Sequence, residues 1–348
     1  MIPQTVKFLV EAGCASPSAD NTQPWQFEWT GEELRLIYRP HGGSGNIFAT
    51  DGHCADMTMG AVIENLMQAA MAANLVVNWR LNARSDVYLS GQVPLDHPVP
   101  AAARDHPLFK RHTNRFDFLD AAVPQDILDS LARMREGSCT LLIAQESSAK
   151  TSLAGLVELA SSVRFQLEDV HRWFSSVLRF SADARASGTG LDVESLGLPP
   201  GGTVLLSLIR DWNRLAVLNK FGMYRLLAKV EAAKIRQAPL IIGIVGVKSK
   251  ADNIAAGRLM ERVWISMTTS ELAVQPFYVV SDVLDRTARN GLPDDLVDCG
   301  RQLTTGVARI IPEYTYLHML LRVGWPARRA PRSDRREMDE VLVDALGS

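Results

Sequence analysis

"GAVIENLMQAAMAANL" (60–75) and "GRLMERVWISMTTSEL" (257–272) are two helical stretches built to one plan. Each opens on a glycine, carries a glutamate four places on (Glu64, Glu261) and ends on a polar residue followed by leucine, Asn74-Leu75 and Glu271-Leu272. Their apolar residues run almost all the way round the helix, the mark of helices buried on most faces. Ahead of each lies a shorter helical pattern, "TVKFLVEAGCAS" (5–16) and "ILDSLARMREGS" (127–138). Chance likeness of helical patterns is the plain alternative. A true repeat predicts two lobes around two central helices, with the extra length of the second copy between 150 and 236, as a cover.

Outward from these helices, the pattern predicts a helix at 3–14 and a strand pair, "WQFEWTG" and "LRLIYRP", turning at Gly31-Glu32-Glu33. Two strands, "VVNWRLN" and "DVYLSGQV", follow the first central helix, which is expected over 54–75. A proline-bearing connector (93–107) comes next. Then come a helix at 124–136 begun by Pro124, a strand at 139–144, and a mainly helical region broken by "ASGTGLDVESLGLPPGG" (186–202). A buried strand (240–247), the second central helix (257–274), the helix "PDDLVDCGRQLTTGVARII" and a strand at 315–326 complete the order. A helix, "EMDEVLVDAL", is expected in the tail. The class is α+β, with mainly antiparallel sheets.

The 348 residues are 47% hydrophobic and 22% charged, with ample material for a core. Lys and Arg number 37 against 39 Asp and Glu, a net charge of −2, which lacks the basic footprint of a nucleic-acid binder. The longest apolar run, "PLIIGIVGV" (239–247), is about half a membrane span. No secretory leader is evident, and no membrane partner is expected. Cys14, Cys54, Cys139 and Cys299 form no CxxC pair, so free thiols, a reducing cytoplasm and no metal are expected. Asp51 with His53, and Asp105 with His106, invite a triad reading, but no nucleophile sits in a glycine-flanked elbow. His41, His53, His171 and His318 are isolated and read as structural or exposed.

Two short stretches carry the chemistry. "SPSADNTQPW" (16–25) sets neutral amides and hydroxyls beside two prolines and one indole. Such a stiff loop suits the polar rim of a flat ligand, because little entropy is lost on binding. Trp25 reads as core packing beneath it. "RHTNR" (111–115) offers two guanidinium groups around a hydroxyl and an imidazole, a set suited to a phosphate monoester or to a solvated turn. No GxGxxG or GxxxxGK[ST] loop occurs, so a Rossmann or P-loop reading lacks support.

Together these stretches resemble the nitroreductase family of FMN-dependent oxidoreductases. Arg111, His112, Thr113 and Arg115 match that family's phosphate motif. Pro17, Ser18, Asn21, Gln23, Pro24 and Trp25 match its Pro-Ser-x-x-Asn-x-Gln-Pro-Trp flavin loop. The order is inverted, since the loop comes about ninety residues before the arginines. Each half keeps what the other lacks, as in the fused subgroup whose single chain folds like the usual homodimer. The resemblance implies an N-terminal lobe over 1–102, a C-terminal lobe over 103–348 with a lid at about 150–236, one FMN, and a monomer. It also implies a further phosphate arginine, Arg335 or Arg336, and a flavin-facing segment, "VQPFYV" (274–279), that includes Gln275. One departure stands out: Glu271 replaces the family's glycine at the end of the second central helix. The implied activity passes two electrons from NAD(P)H to a small conjugated or oxidised acceptor. FMN storage beneath a lid, and a flavin-dependent oxidase or dehydrogenase in biosynthesis, are the alternatives.

Overall fold

A computed structural model of the chain describes residues 2–40, 47, 52–82, 86–95 and 97–345. His41 and Asp51 fall outside these. The first half holds helices α1 (Gln4–Cys14) and α2 (His53–Ala72) and strands β1 (Trp25–Trp29), β2 (Glu33–Tyr38), β3 (Asn78–Leu81) and β4 (Val87–Gln92). The middle holds α3 (Gln125–Ala132), β5 (Thr140–Ala144), α4 (Ser147–Arg164), α5 (Glu168–Val177), β6 (Leu178–Arg179), α6 (Ala182–Arg185) and β7 (Leu191–Asp192). Three helices then run in series: α7 (Gly202–Ile209), α8 (Trp212–Asn219) and α9 (Met223–Arg236). The remainder is β8 (Leu240–Gly246), α10 (Lys250–Thr269), β9 (Ala273–Phe277), α11 (Val279–Ala288), α12 (Val297–Ala308) and β10 (Tyr316–Gly324). The chain closes on α13 (Met338–Val341) and β11 (Leu342–Asp344).

The architecture is α+β, with two sheets flanking the pair α2 and α10. One sheet has the order β11-β1-β2-β4-β3 and the other β5-β8-β10-β9. Every pairing in them is antiparallel except that of β1 with β11. The expected tail helix is a single turn, and its "LVD" pairs in parallel with Phe27, Glu28 and Trp29. Alternation explains the change: along 342–344 Leu342 is buried, Val343 faces out and Asp344 is half-buried, a period of two rather than 3.6. The second central helix also begins earlier than expected, because the Ser249 hydroxyl caps it by accepting from the Asp252 amide.

The central helices cross where their backbones can touch. A methyl group built on Gly60 would overlap the Ile254 carbonyl oxygen, and one on Gly257 would overlap that of Met57. The contact is reciprocal, since each glycine meets the residue three places before the other. Both helices end in the same way. Asn74 (φ 55°) and Glu271 (φ 60°) are left-handed, and the next leucine amides reach back to Ala70 and Met267 at 2.8 and 2.9 Å. This is the six-to-one bond of a Schellman cap. Glu271 thus adopts the backbone that a glycine would take without strain.

Beside α2, a buried aromatic and imidazole cluster joins distant segments. His53 contacts the Tyr278 hydroxyl through Nδ1 at 2.8 Å and His318 Nδ1 through Nε2 at 2.9 Å. The sequence suggested that these histidines were isolated, and the fold brings them together across 265 positions. Burial pushes His53 down to about 3 and His318 down to about 4, so both are neutral in the fold.

Two outcomes are expected. Replacing Glu271→Gly raises unfolding stability by about 1 kcal/mol, whereas Gly257→Ala lowers it by about 1–3 kcal/mol or more, measured by chemical denaturation. Groups with depressed folded values stabilise above their ordinary value of 6.5 and lose that contribution as pH falls through about 4 and then 3. The acid limb of the stability curve is therefore steeper in the native chain than in His318→Gln.

Candidate anion-binding site

The 16–25 loop leaves α1 and enters β1 through an unusual backbone. Asp20, Asn21 and Gln23 all have positive φ (50°, 56° and 51°), a concentration of strain that needs local compensation. The Ser18 hydroxyl supplies part of it by accepting the Gln23 amide at 2.9 Å. Trp25 is fully buried in the first sheet's core, as expected for a residue under the loop. On the other side, the 111–115 turn is fixed by Asn114. Its amide nitrogen donates to the Val274 carbonyl and its side chain to the Arg328 carbonyl, both at 3.0 Å. Thr113 forms a bridge with Val274, which sets the turn against β9.

The two stretches meet. Pro17, Ser18 and Asn21 line a hollow with Arg111, His112, Thr113 and Arg115, and Pro331, Arg332, Ser333 and Arg335 come in from the tail. Leu191 and Ser195 close it from the cover, and the hollow opens in part to solvent. Four arginines line it, and no carboxylate does. That arrangement is cationic on every charged position of its lining, the charge that would suit an anion.

Its arginines are held differently. Arg111 is buried, stacks on Trp264 and lies 2.7 Å from the Glu261 carboxylate through Nε. The contact is off the hydrogen-bond direction, so Nε and both Glu261 oxygens lack a directed bond. Burial pushes the Glu261 carboxyl up to about 7 against the pull of Arg111. Arg335 donates to the Cys14 carbonyl at 3.0 Å and to Asn21 Oδ1 at 2.6 Å. Burial and the neighbouring Arg111 and Arg332 lower it to about 10. The guanidinium groups of Arg115 and Arg332 have no hydrogen-bond or ion-pair partner among the described residues. His112 is pushed down from its ordinary value by burial and keeps Nδ1 within 2.9 Å of the Lys110 carbonyl.

Three sequence candidates lie outside the lining. Gln23 is fully buried, with its amide donating to the Gly188 carbonyl at 2.7 Å and accepting the Arg336 backbone amide at 3.0 Å. It clamps cover and tail together. The Arg336 side chain turns to Glu340. Gln275 is buried on β9 opposite Arg322, and its Oε1 has no partner. Conversely, Arg332 and Ser333 of the basic stretch "RRAPRSDRR" (328–336) line the hollow beside the Arg335 that the resemblance implies. Their only sequence signal is the basic run itself, and the bonds of Asn21 to the Asp334 carbonyl and of Gln23 to the Arg336 amide hold that run against the loop.

The cover touches both chemical stretches. Gly188 (φ 65°) and Gly197 (φ 62°) pass so close to the Arg335 and Arg115 carbonyls that a methyl group on either would overlap them. Trp173 on α5 donates to Asp20 Oδ2 at 3.0 Å, and Lys234 on α9 donates to the Arg115 carbonyl at 3.1 Å. Burial raises the Asp20 carboxyl above its ordinary value. Among the described residues, no group of His, Cys, Asp and Glu is placed to hold a metal ion, and no helix is long and apolar enough to cross a membrane.

No protein-family model matches the sequence, and no curated protein does. Solved structures do match at low identity. A nitroreductase with bound FMN from Bacteroides fragilis is 10% identical over 68% of this chain and 95% of its own, at a TM-score of 0.38. The FMN-dependent nitroreductase NfnB from Mycobacterium smegmatis, in complex with NADPH, is 14% identical with the same coverages and a TM-score of 0.39. An iodotyrosine deiodinase bound to FMN and 3-iodo-L-tyrosine is 15% identical over 66% of this chain and 93% of its own, at a TM-score of 0.33.

The Arg111–Glu261 pair yields a direct test. At a pH well above 7, where Glu261 is ionised, Glu261→Gln leaves Arg111 buried without its counter-charge and lowers stability by about 3–5 kcal/mol. Added inorganic phosphate restores more stability to this variant than to the native chain, read as the shift in thermal midpoint.

Proposed function

We propose that the hollow holds the phosphate of one FMN and that the chain is a nitroreductase-like oxidoreductase. It would take two electrons from NAD(P)H and pass them to a small conjugated or oxidised acceptor. The carrying observation is the convergence of the neutral 16–25 loop with four arginines and no lining carboxylate. The donor set fits the group. Arg115 and Arg332 have unspent guanidinium donors, and Ser18, Thr113 and Ser333 bring hydroxyls to the same wall. Gln275 Oε1, next to the Val274 that bridges Thr113, is a buried acceptor without a donor, as an imide N–H would require.

Bound flavin would supply the reversible two-electron chemistry. This chain's part is to bind and orient. Arg115 and Arg332 neutralise the phosphate, with Arg335 held beside them by Asn21. Arg111 keeps that wall cationic while Glu261 offsets its burial. The stiff loop presents neutral dipoles, which favour charge accumulating on a reduced ring. The reciprocal glycine crossing and the twin Schellman caps support the fused two-lobe organisation, with lobes over 1–102 and 103–348. A single chain then provides one complete site, and a monomer with one flavin is expected by size exclusion.

The cover favours a second reading, storage of FMN out of reach of reductants. The close passages at Gly188 and Gly197 and the Trp173–Asp20 bond support it. Anaerobic visible spectra separate the two. Bleaching on addition of NADPH supports the oxidoreductase. A flavin that bleaches only in Trp173→Phe supports storage. A purified chain that takes up no FMN refutes both. Arg115→Gln with Arg332→Gln is expected to weaken FMN retention at least about tenfold without loss of fold, since each charged hydrogen bond contributes about 1.5–3 kcal/mol. Equal retention by that variant would displace the phosphate from this hollow.

A further inference from the structure

The helices α7, α8 and α9 pack one after another along the outside of the cover. Their inner faces are well used: Ile209, Leu215, Ala228, Ala232 and Ile235 are buried. Their outer faces are apolar as well. Val204 (75% exposed), Leu208 (47%), Val217 (54%), Phe221 (85%), Leu226 (56%) and Val230 (49%) all stand in solvent. Among the described residues, six of the fifteen exposed large hydrophobics fall in this stretch of 27 positions. The other nine are spread over the rest of the chain, where single exposed apolar residues need no explanation.

Spacing shows that the exposure is patterned. Val204 and Leu208 are four apart on α7, and Leu226 and Val230 are four apart on α9, so each pair forms a stripe along one helix face. Arg225 and Lys229 form a parallel cationic stripe one position away on α9, both exposed. Phe221 sits at the turn between α8 and α9, flanked by Lys220 and by Gly222 with φ of 87°. Residues 202–236 hold seven Lys and Arg against two Asp and Glu, a net +5 in a chain whose total is −2. One of those acids, Glu231, turns inward to Ser161 and Arg164. The other, Asp211, caps α8 by accepting the Arg214 amide.

From this we infer that the outer face of α7–α9 docks peripherally on an anionic lipid bilayer. Apolar side chains interleaved with exposed Arg and Lys on helices lying side by side are the composition that seats a helix at a lipid headgroup boundary. A second copy of the chain fits less well, because the exposed Lys220, Arg225 and Lys229 of this face would meet their own like charges across a two-fold interface. A nucleic acid would satisfy the cations but find no use for exposed aliphatic side chains and an exposed phenyl ring. The sequence alone pointed away from any membrane partner, on the ground that no stretch is long enough to span. A surface-lying helix face escapes that criterion, and the inference stands apart from the flavin reading.

The test is co-sedimentation of the full-length protein with phosphatidylcholine vesicles, with and without phosphatidylserine. The expected result is binding to the phosphatidylserine vesicles only, weakened by added salt. Phe221→Ser with Leu226→Ser should abolish it, and Lys220→Gln with Arg225→Gln should weaken it about fivefold for each cation removed. All four positions are exposed, so circular dichroism should be unchanged. No binding to anionic vesicles, or full binding by the Phe221→Ser, Leu226→Ser variant, overturns the inference. So does a concentration-dependent dimer in light scattering that the same variant abolishes, because the face would then join two copies.

Discussion

Backbone contact between the two central helices is the constraint from which the rest follows. Gly60 and Gly257 let α2 and α10 approach closely enough that neither tolerates even one methyl group at the crossing. Fifteen of the twenty residues of α2 are buried as a result, among them Glu64 and Asn65. Close approach places a glutamate from each helix one turn beyond the crossing, in surroundings where a lone carboxylate is costly. Each is answered by arginine: Glu64 by Arg262 at 2.8 Å and by Arg258, and Glu261 by Arg111. The second answer ties the core to the anion site, since Arg111 is also a lining residue.

The site shows how a buried cationic wall can exist before any anion arrives. Arg111 uses Glu261 and the face of Trp264, and Arg335 uses backbone carbonyls and Asn21. Burial lowers both, and for Arg335 the neighbouring arginines add to the effect. Arg115, near enough to Asp20 to feel its charge, and Arg332 complete the wall with no hydrogen-bond or ion-pair partner for their guanidinium groups among the described residues. Positive charge of this density is a standing cost to the folded chain that an anion beside it would offset. Strain in the 16–25 backbone is offset locally by Ser18 and at long range by Gly188, Asp334 and Arg336, so loop, cover and tail hold one another in place.

The cover has two unlike sides. Inward, it makes close glycine passages and single specific bonds from Trp173 and Lys234. Outward, it leaves apolar and cationic side chains in alternation. An ordinary protective lid would need only the first. The histidine pair beside α2 is a separate matter, because its contacts run to Tyr278 and the Val247 carbonyl and make it part of the packing between α2 and the second sheet.

Local pattern alone determined the two central helices, the hairpin at Gly31 and the burial of Trp25, because periodicity and turn chemistry act over a few neighbouring residues. It also marked the amide loop and the arginine turn as candidates, and a family resemblance rather than local pattern is what paired them. Tertiary structure decided which of those residues face the hollow. Gln23 and Arg336 match the pattern yet turn to the cover and to Glu340, while Arg332 and Ser333 enter through a tail held by Asn21 and Gln23 more than 300 positions away. His53 with His318, and Arg111 with Glu261, are likewise contacts between segments that nothing local relates. Residue type is written locally, whereas the direction a side chain takes depends on packing against distant partners, and a one-residue change of register reverses it.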